Sequence, residues 1–176
     1  MIFSKLVHLI VLAAIAAAMP YPQKHSSSTS ASSSSSTSNS GSGIQIVNNL
    51  GITVYLWTTT SKPGSLKAVP PGGTFTDSWS TGGTSVKMST SKSDASVLQF
   101  EYSVSGDKLY WDLSSINLAA NSRFITSGFS VTPDDSGCPS ASCEPGDSKC
   151  ADSYQSPADL NTHSCSSSTQ YTVTLG

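Results

Sequence analysis

The groups able to do chemistry in this chain are few, and most lie between Val97 and Asn117. Gln99, Glu101 and Ser103 alternate with Leu98, Phe100, Tyr102 and Val104, so Gln99 and Glu101 share one face of a half-buried strand. Lys108, Tyr110 and Asp112 alternate in the same way with Leu109, Trp111 and Leu113. Cleaving a glycosidic bond takes two carboxyls a set distance apart, one as acid and one as nucleophile or base. An amide can hydrogen-bond a sugar hydroxyl, but it cannot deliver a proton as a carboxylic acid does. Asp112 could serve a ligand, or it could cap a turn by bonding its own backbone. Flat aromatic rings are a second sugar-binding device. Tyr55, Trp57 and Tyr110 fall opposite the apolar alternation and could serve, whereas Trp79 and Trp111 fit a core. Core packing is the commoner fate of any one of these rings.

Other chemistries find little support. Beyond the first residues the chain has only His25 and His163. A copper site on an N-terminal histidine would need cleavage directly after Lys24, and Gln23-Lys24 is not a dibasic processing site. No Gly-x-Ser-x-Gly, His-Glu-x-x-His or phosphate-binding glycine loop occurs. The residues therefore predict no metal site and no cofactor. After Ala18 there are eight Lys and Arg against eleven Asp and Glu, a net charge of about −3. No basic patch is available to neutralise phosphates, so nucleic acid is not an expected partner.

Residues 1–18 read as a secretory signal peptide. Lys5 supplies the positive start, Leu6 to Ala18 the apolar stretch, and Ala16-Ala17-Ala18 a small-residue cleavage site before Met19. That stretch is too short for a stable membrane anchor. The last residues lack the long hydrophobic tail of a lipid-anchor signal. The expected location is secreted, extracellular or wall-associated, without a membrane anchor. Residues 19–43 are dominated by Ser and Thr and predict a disordered linker, either merely flexible or an O-glycosylated stalk. No Asn-x-Ser/Thr sequon occurs. All four cysteines, Cys138, Cys143, Cys150 and Cys165, fall in the last quarter. In an oxidising compartment they imply two disulfides, with three pairings open. Disulfide-bound sulfurs cannot act as zinc thiolates.

The elements that must position these groups are strands. Ile44 to Val47 and Ile52 to Trp57 flank a turn at Asn48-Asn49-Leu50-Gly51. Lys62-Pro63-Gly64 and Pro70-Pro71-Gly72-Gly73 break the chain. Strands follow at Thr74–Ser80 and Ser85–Thr90. Ser105-Gly106-Asp107 then joins the two central strands as a hairpin. Ser115 to Ser122 reads as an irregular connection. Arg123 to Val131 reads as a strand, with Gly128 marking a bulge or a close approach. Residues 133–166 are loop-rich, and Thr169 to Leu175 closes the domain. Many short strands and no amphipathic helix of ordinary length mean a sandwich or barrel over residues 44–176, built as one domain and expected to be a monomer.

These stretches resemble a known family in their order. Ile44-Gln45-Ile46-Val47-Asn48-Asn49 followed by Thr53-Val54-Tyr55-Leu56-Trp57 is similar to the first two strands of thaumatin-like proteins. Pro71-Gly72-Gly73 with Ser78-Trp79, and Gln99-Phe100 with Tyr110-Trp111-Asp112-Leu113-Ser114, resemble their third strand and central hairpin. Gly137-Cys138, Cys143, Cys150-Ala151-x-x-Tyr154, Thr162-x-x-Cys165 and Tyr171-Thr172-Val173-Thr174 resemble their C-terminal signature. Residues 44–176 as a whole resemble the small fungal thaumatin-like proteins of the yeast-phase-specific, antigenic or conidium-associated type.

The resemblance implies an all-β, thaumatin-like antiparallel β-sandwich with a loop-rich, disulfide-pinned C-terminal region. It implies the pairs Cys138–Cys165 and Cys143–Cys150. It also implies two losses. Only six residues separate Cys143 from Cys150, so the disulfide-rich subdomain of larger relatives is missing. No cysteine is present to tie the first strand to the last. Larger relatives carry an acidic cleft linked to β-1,3-glucan binding and, in some, to weak endoglucanase activity. Carried over by position, that cleft has Gln99 and Asn117 in place of acids and keeps Asp112. Asp159 stands for the acid before the last cysteine, Lys87 for the basic member, and Glu101 could substitute for the acid lost at Gln99. With two acids turned to amides, the resemblance implies that the chain holds a cell-wall polysaccharide, a β-glucan, without catalytic residues. The other readings are a β-1,3-glucanase, and a secreted effector or antigen acting through protein contacts.

Overall fold

The computed structural model describes residues 41–176. The expected signal peptide and nearly all of the expected Ser/Thr linker lie outside the described residues. The first strand, β1, spans Gly43–Asn48, one residue before the expected start. Ten more strands follow: β2 (Val54–Thr59), β3 (Lys67–Val69), β4 (Thr74–Asp77), β5 (Gly82–Ser89), β6 (Leu98–Ser105), β7 (Lys108–Ser114), β8 (Phe129–Pro133), β9 (Ala141–Cys143), β10 (His163–Ser166) and β11 (Gln170–Leu175). One short helix, α1 (Arg123–Ser127), precedes β8. No helix among the described residues is long and apolar enough to cross a membrane.

The strands form two sheets. One has the order β4-β1-β11-β8-β9, the other β10-β7-β6-β5-β2-β3. Neighbours pair antiparallel, with one exception. The first and last strands, β1 and β11, run parallel in continuous register from Gly43 opposite Gln170 to Asn48 opposite Leu175. That ladder ties the two ends of the domain together, where larger thaumatin-like proteins use a disulfide.

Alternation dictates which side chains enter the core. Ile44, Ile46, Val131, Tyr171, Val173 and Leu175 come from the first sheet, all nearly inaccessible. Leu56, Met88, Leu98, Phe100, Trp111 and Leu113 meet them from the second. An aromatic cluster runs through the centre. Trp111 packs 5.6 Å from Phe100 and 5.0 Å from Tyr171, centroid to centroid. Trp79 lies just beyond β4 rather than within it, and its indole N–H donates to the Thr169 carbonyl at 3.1 Å. Trp79 and Trp111 therefore take the core places their patterns predicted. The turn after β1 is held by Asn48, a fully buried amide. Its Nδ2 lies 2.9 Å from the Ile52 and Val69 carbonyls and 3.1 Å from that of Pro70, and its Oδ1 accepts from Leu50 N–H.

Four segments differ from the sequence reading. Arg123–Ser127 is a helical turn, not part of a strand. The Ser122 hydroxyl accepts from the Phe124 N–H and starts the turn. Gly128, at φ 78°, ends it. A Cβ there would stand 2.9 Å from the Cys143 carbonyl oxygen, so glycine serves a close approach between β8 and β9. The others are β3, which lies between the two chain breakers, and β9 and β10 inside the loop-rich region, where β10 adds an edge to the central hairpin. Two disulfides pin that region. Cys138 pairs with Cys165 and Cys143 with Cys150.

Candidate functional site

The central hairpin turns tightly at Gly106-Asp107, since Ser105 pairs with Lys108. Gly106 takes φ 61°, a value that favours glycine. The register that follows from this turn arranges the outward-facing residues of β2, β5, β6 and β7 in rows. One row runs Trp57, Lys87, Gln99, Ser114 across four strands. The next runs Thr59, Ser85, Glu101, Asp112. Beyond β7, Thr162 comes next to this second row, because β10 starts with His163 opposite Trp111.

Lys87 and Gln99 of the first row, with the whole of the second, floor an open groove of about 600 Å³. Lys87, Gln99, Glu101, Tyr110 and Asp112 all line it. Thr59 and Thr60 rim one end, and Thr162 rims the other. The Thr162 hydroxyl is 2.8 Å from the Tyr154 hydroxyl, which braces that rim. The sequence reading missed these threonines. Thr59 and Thr60 come from the end of β2 by its register with β5, and Thr162 takes its place because β10 docks on β7; His163–Ser166 is too short to announce itself by periodicity.

The acids of the groove differ in environment. Glu101 and Asp112 are directly opposed across β6 and β7. Asp112 lies mid-strand and half-buried, not at a turn. Burial, and then the nearby Glu101 charge, push its carboxyl up to about 6 from 3.8. Neither cause is a cation or a hydrogen bond that would draw it down. Gln99 is held on both sides: its Nε2 donates to Asn117 Oδ1, and its Oε1 accepts from the Ser85 hydroxyl, both at 3.3 Å. Asn117 thus reaches the site through Gln99 and does not line the groove.

Asp159 is not brought to the groove. Its carboxylate accepts the backbone N–H groups of Gln155 and Ser156 at 2.7 and 2.9 Å and closes a turn. The capping role considered for Asp112 belongs to Asp159 instead. Tyr110 is 45% exposed at the groove. Tyr55 and Trp57 are half-buried away from it. Lys92 lies 5.7 Å over the Tyr55 ring, and Trp57 lines a separate cavity of about 300 Å³ with Phe75 and Lys67.

Asp135 approaches Cys138 and Cys165, but both sulfurs are joined in a disulfide and offer no thiolate. His163 stacks on the Trp111 ring at 4.5 Å. What the groove does offer is a floor of hydroxyls and one amide, one exposed ring, one ammonium, and two carboxyls that project from the same side. Such a surface can hydrogen-bond a polyhydroxylated chain along its length.

The chain is similar to several known proteins. The profile of a family described as Blastomyces yeast-phase-specific protein, Bys1, matches residues 30–176. The secreted thaumatin-like protein calA of Emericella nidulans is 38% identical over 180 residues, covering 100% of this chain and 98% of that protein. An antigenic thaumatin-like protein of Arthroderma benhamiae is 34% identical over 136 residues, covering 74% of this chain and 68% of its own. Among solved structures, the protein elicitor MoHrip2 from Magnaporthe oryzae superposes with a TM-score of 0.66 at 26% identity, covering 76% of this chain and 97% of that one. The thaumatin-like xylanase inhibitor TLXI has a TM-score of 0.51 at 12% identity, over 74% and 97% of the two chains, and shares the fold. The paired sheets, the two disulfides and a relative matched along its whole length lead to one assignment: the chain belongs to the Bys1 family of secreted, thaumatin-like fungal proteins.

Proposed function

We propose that this secreted protein is a non-catalytic polysaccharide-binding protein of the cell wall or extracellular space, holding a β-glucan-type chain weakly along the groove. The observation that carries the reading is the groove itself. Five residues picked out as candidates, Lys87, Gln99, Glu101, Tyr110 and Asp112, line one open surface. Its shallow, solvent-open form suits a chain that lies across strands and leaves again easily. The two carboxyls stand side by side on a single sheet face. A glycosidase pair has to flank the bond it cuts. The full secreted chain, mixed with insoluble β-glucan and other wall polymers, is expected to sediment with at least one of them. Retention on none would remove the proposal.

The Glu101–Asp112 pair is the one observation that favours a second reading, a β-1,3-glucanase. There Asp112, with its raised pKa, acts as acid and Glu101 as the ionised partner. Reducing-end release from laminarin that disappears in Asp112→Asn would support it, and no release would exclude it. The relative described as a protein elicitor motivates a third reading, recognition of the same exposed face by a partner protein. Protein capture that survives an excess of free oligosaccharide would favour that reading over sugar binding.

A further inference from the structure

We infer that the loop leading into β10 is a protein-binding loop, shaped to seat in the cleft of an extracellular serine protease and to place Leu160 in an apolar primary pocket. Leu160 does not line the groove, so the inference stands apart from the carbohydrate reading.

Leu160 is 94% exposed, against 45% for Tyr110, the next highest among the large apolar residues described. An exposed leucine is ordinary by itself. What sets this one apart is how firmly its neighbours are held. Before it, the Asp159 carboxylate accepts the N–H groups of Gln155 and Ser156, and the Asp159 N–H donates to the Ser156 carbonyl at 3.1 Å. After it, Asn161 Nδ2 donates to the Ala151 carbonyl at 2.7 Å. Both flanking side chains bond back into the loop, and only the leucine between them stands out in solvent.

The base of the loop is fastened as well. Gln155 Nε2 donates to the Cys150 and Ser153 carbonyls, both at 3.2 Å. The Tyr154 N–H donates to the Leu113 carbonyl at 2.8 Å, and its own carbonyl accepts from Ser115 N–H at 2.9 Å. Cys150 is joined to Cys143 at the end of β9. The loop is therefore tied to β7 in one sheet and to β9 in the other.

The backbone at the tip is free to pair. From Asp159 to Thr162 the chain runs without a turn or bend into β10. Among the described residues, neither the N–H nor the carbonyl of Leu160 makes a backbone hydrogen bond. A protease cleft binds an extended segment by strand-type main-chain hydrogen bonds and reads one side chain in its primary pocket. A segment already held in that form loses little freedom on binding, which is how a tight inhibitor differs from a floppy substrate. The side chain sets the kind of protease. Leucine suits an apolar pocket, and no Lys or Arg follows Lys149, so a pocket that demands a cation finds none here.

The test is titration of the full secreted protein into chymotrypsin, subtilisin and trypsin, each followed by initial rates on a small chromogenic substrate. Competitive inhibition of the first two and not of trypsin is expected, with the chain still whole by mass spectrometry. Leu160→Gly should weaken inhibition by about tenfold or more, and Leu160→Lys should transfer it to trypsin. Asp159→Ala, which frees the loop, should turn the inhibitor into a substrate cut after Leu160. Leu160 is on the surface, so the two Leu160 variants should melt with the wild type, which separates a lost contact from a lost fold. No inhibition of either apolar-pocket enzyme would overturn the inference. Rapid cutting of the native loop after Leu160 would do the same, as would inhibition that Leu160→Gly leaves unchanged. None of these outcomes bears on the carbohydrate reading, which sedimentation with wall polymers tests.

Discussion

Asp112 is the residue on which the site turns. Its carboxyl sits mid-strand, half-buried and opposite Glu101, so its folded-state pKa rises to about 6 from 3.8. The linkage follows from that sign. The native state holds the Asp112 proton more tightly than the unfolded chain does, so this group favours folding fully below about pH 4. The contribution is lost as pH rises through about 6. In Asp112→Asn that loss disappears. The variant is therefore expected to gain a few degrees of melting temperature over wild type above pH 6, and to lose most of that advantage near pH 4. Paired thermal melts across this range check it, and parallel curves would refute it. Asp112 was legible from sequence as a candidate, since alternation put it on the free face of its strand. Its environment was not, because burial and the facing Glu101 depend on register. Asp159 marks the opposite case: the same residue type, closed into a turn by two backbone N–H groups.

At the level of elements, the hairpin was the most legible part of the chain. Alternating residues around Ser105-Gly106-Asp107 dictate two antiparallel strands, and the tight turn sets their register. The segment from Arg123 to Val131 was less so. Phe124, Phe129 and Val131 read as a strand pattern, yet Ser122 and Gly128 bracket a helical turn. The signal for a close approach at Gly128 was present, and the structure identifies what approaches. Gly128→Ala is expected to cost about 1–3 kcal/mol, because it adds a clash with the Cys143 carbonyl to an unfavourable backbone angle. Gly146→Ala is the control. Its φ is 86°, but nothing lies within 4 Å of the added Cβ, so its cost should be the smaller. Urea denaturation of the two variants side by side measures the difference, and equal midpoints would show that the clash is relieved by relaxation. The edge strand β10 left no periodic trace in the sequence. Three polar residues and the disulfide-bonded Cys165 become a strand because β7 offers them a partner.

For the whole molecule, the disulfides and the β1–β11 ladder divide the work of closing the domain. Cys138 follows β8 in one sheet and Cys165 belongs to β10 in the other, so this bridge links the two sheets at one end. Cys143–Cys150 closes a sequence separation of 7 within the loop-rich region, against 27 for the first bridge. Replacing both cysteines of the longer bridge by alanine should cost roughly 3 kcal/mol, and the shorter bridge less. Calorimetric melting of the two double variants gives the order, and a larger loss from the Cys143–Cys150 pair would reverse the assignment of roles. The sequence by itself determined the strand-rich domain, its family, the free face of the hairpin and the residue types on it. Alternation, turn chemistry and cysteine count are local properties, and a chain carries them in its spacing. Only the tertiary structure decided which polar residues meet. Gln99, Glu101, Asp112 and Lys87 share a groove because three strands align in one register, and Thr162 joins them because a distant segment docks on β7. Such proximity depends on long-range pairing, which no window of sequence contains.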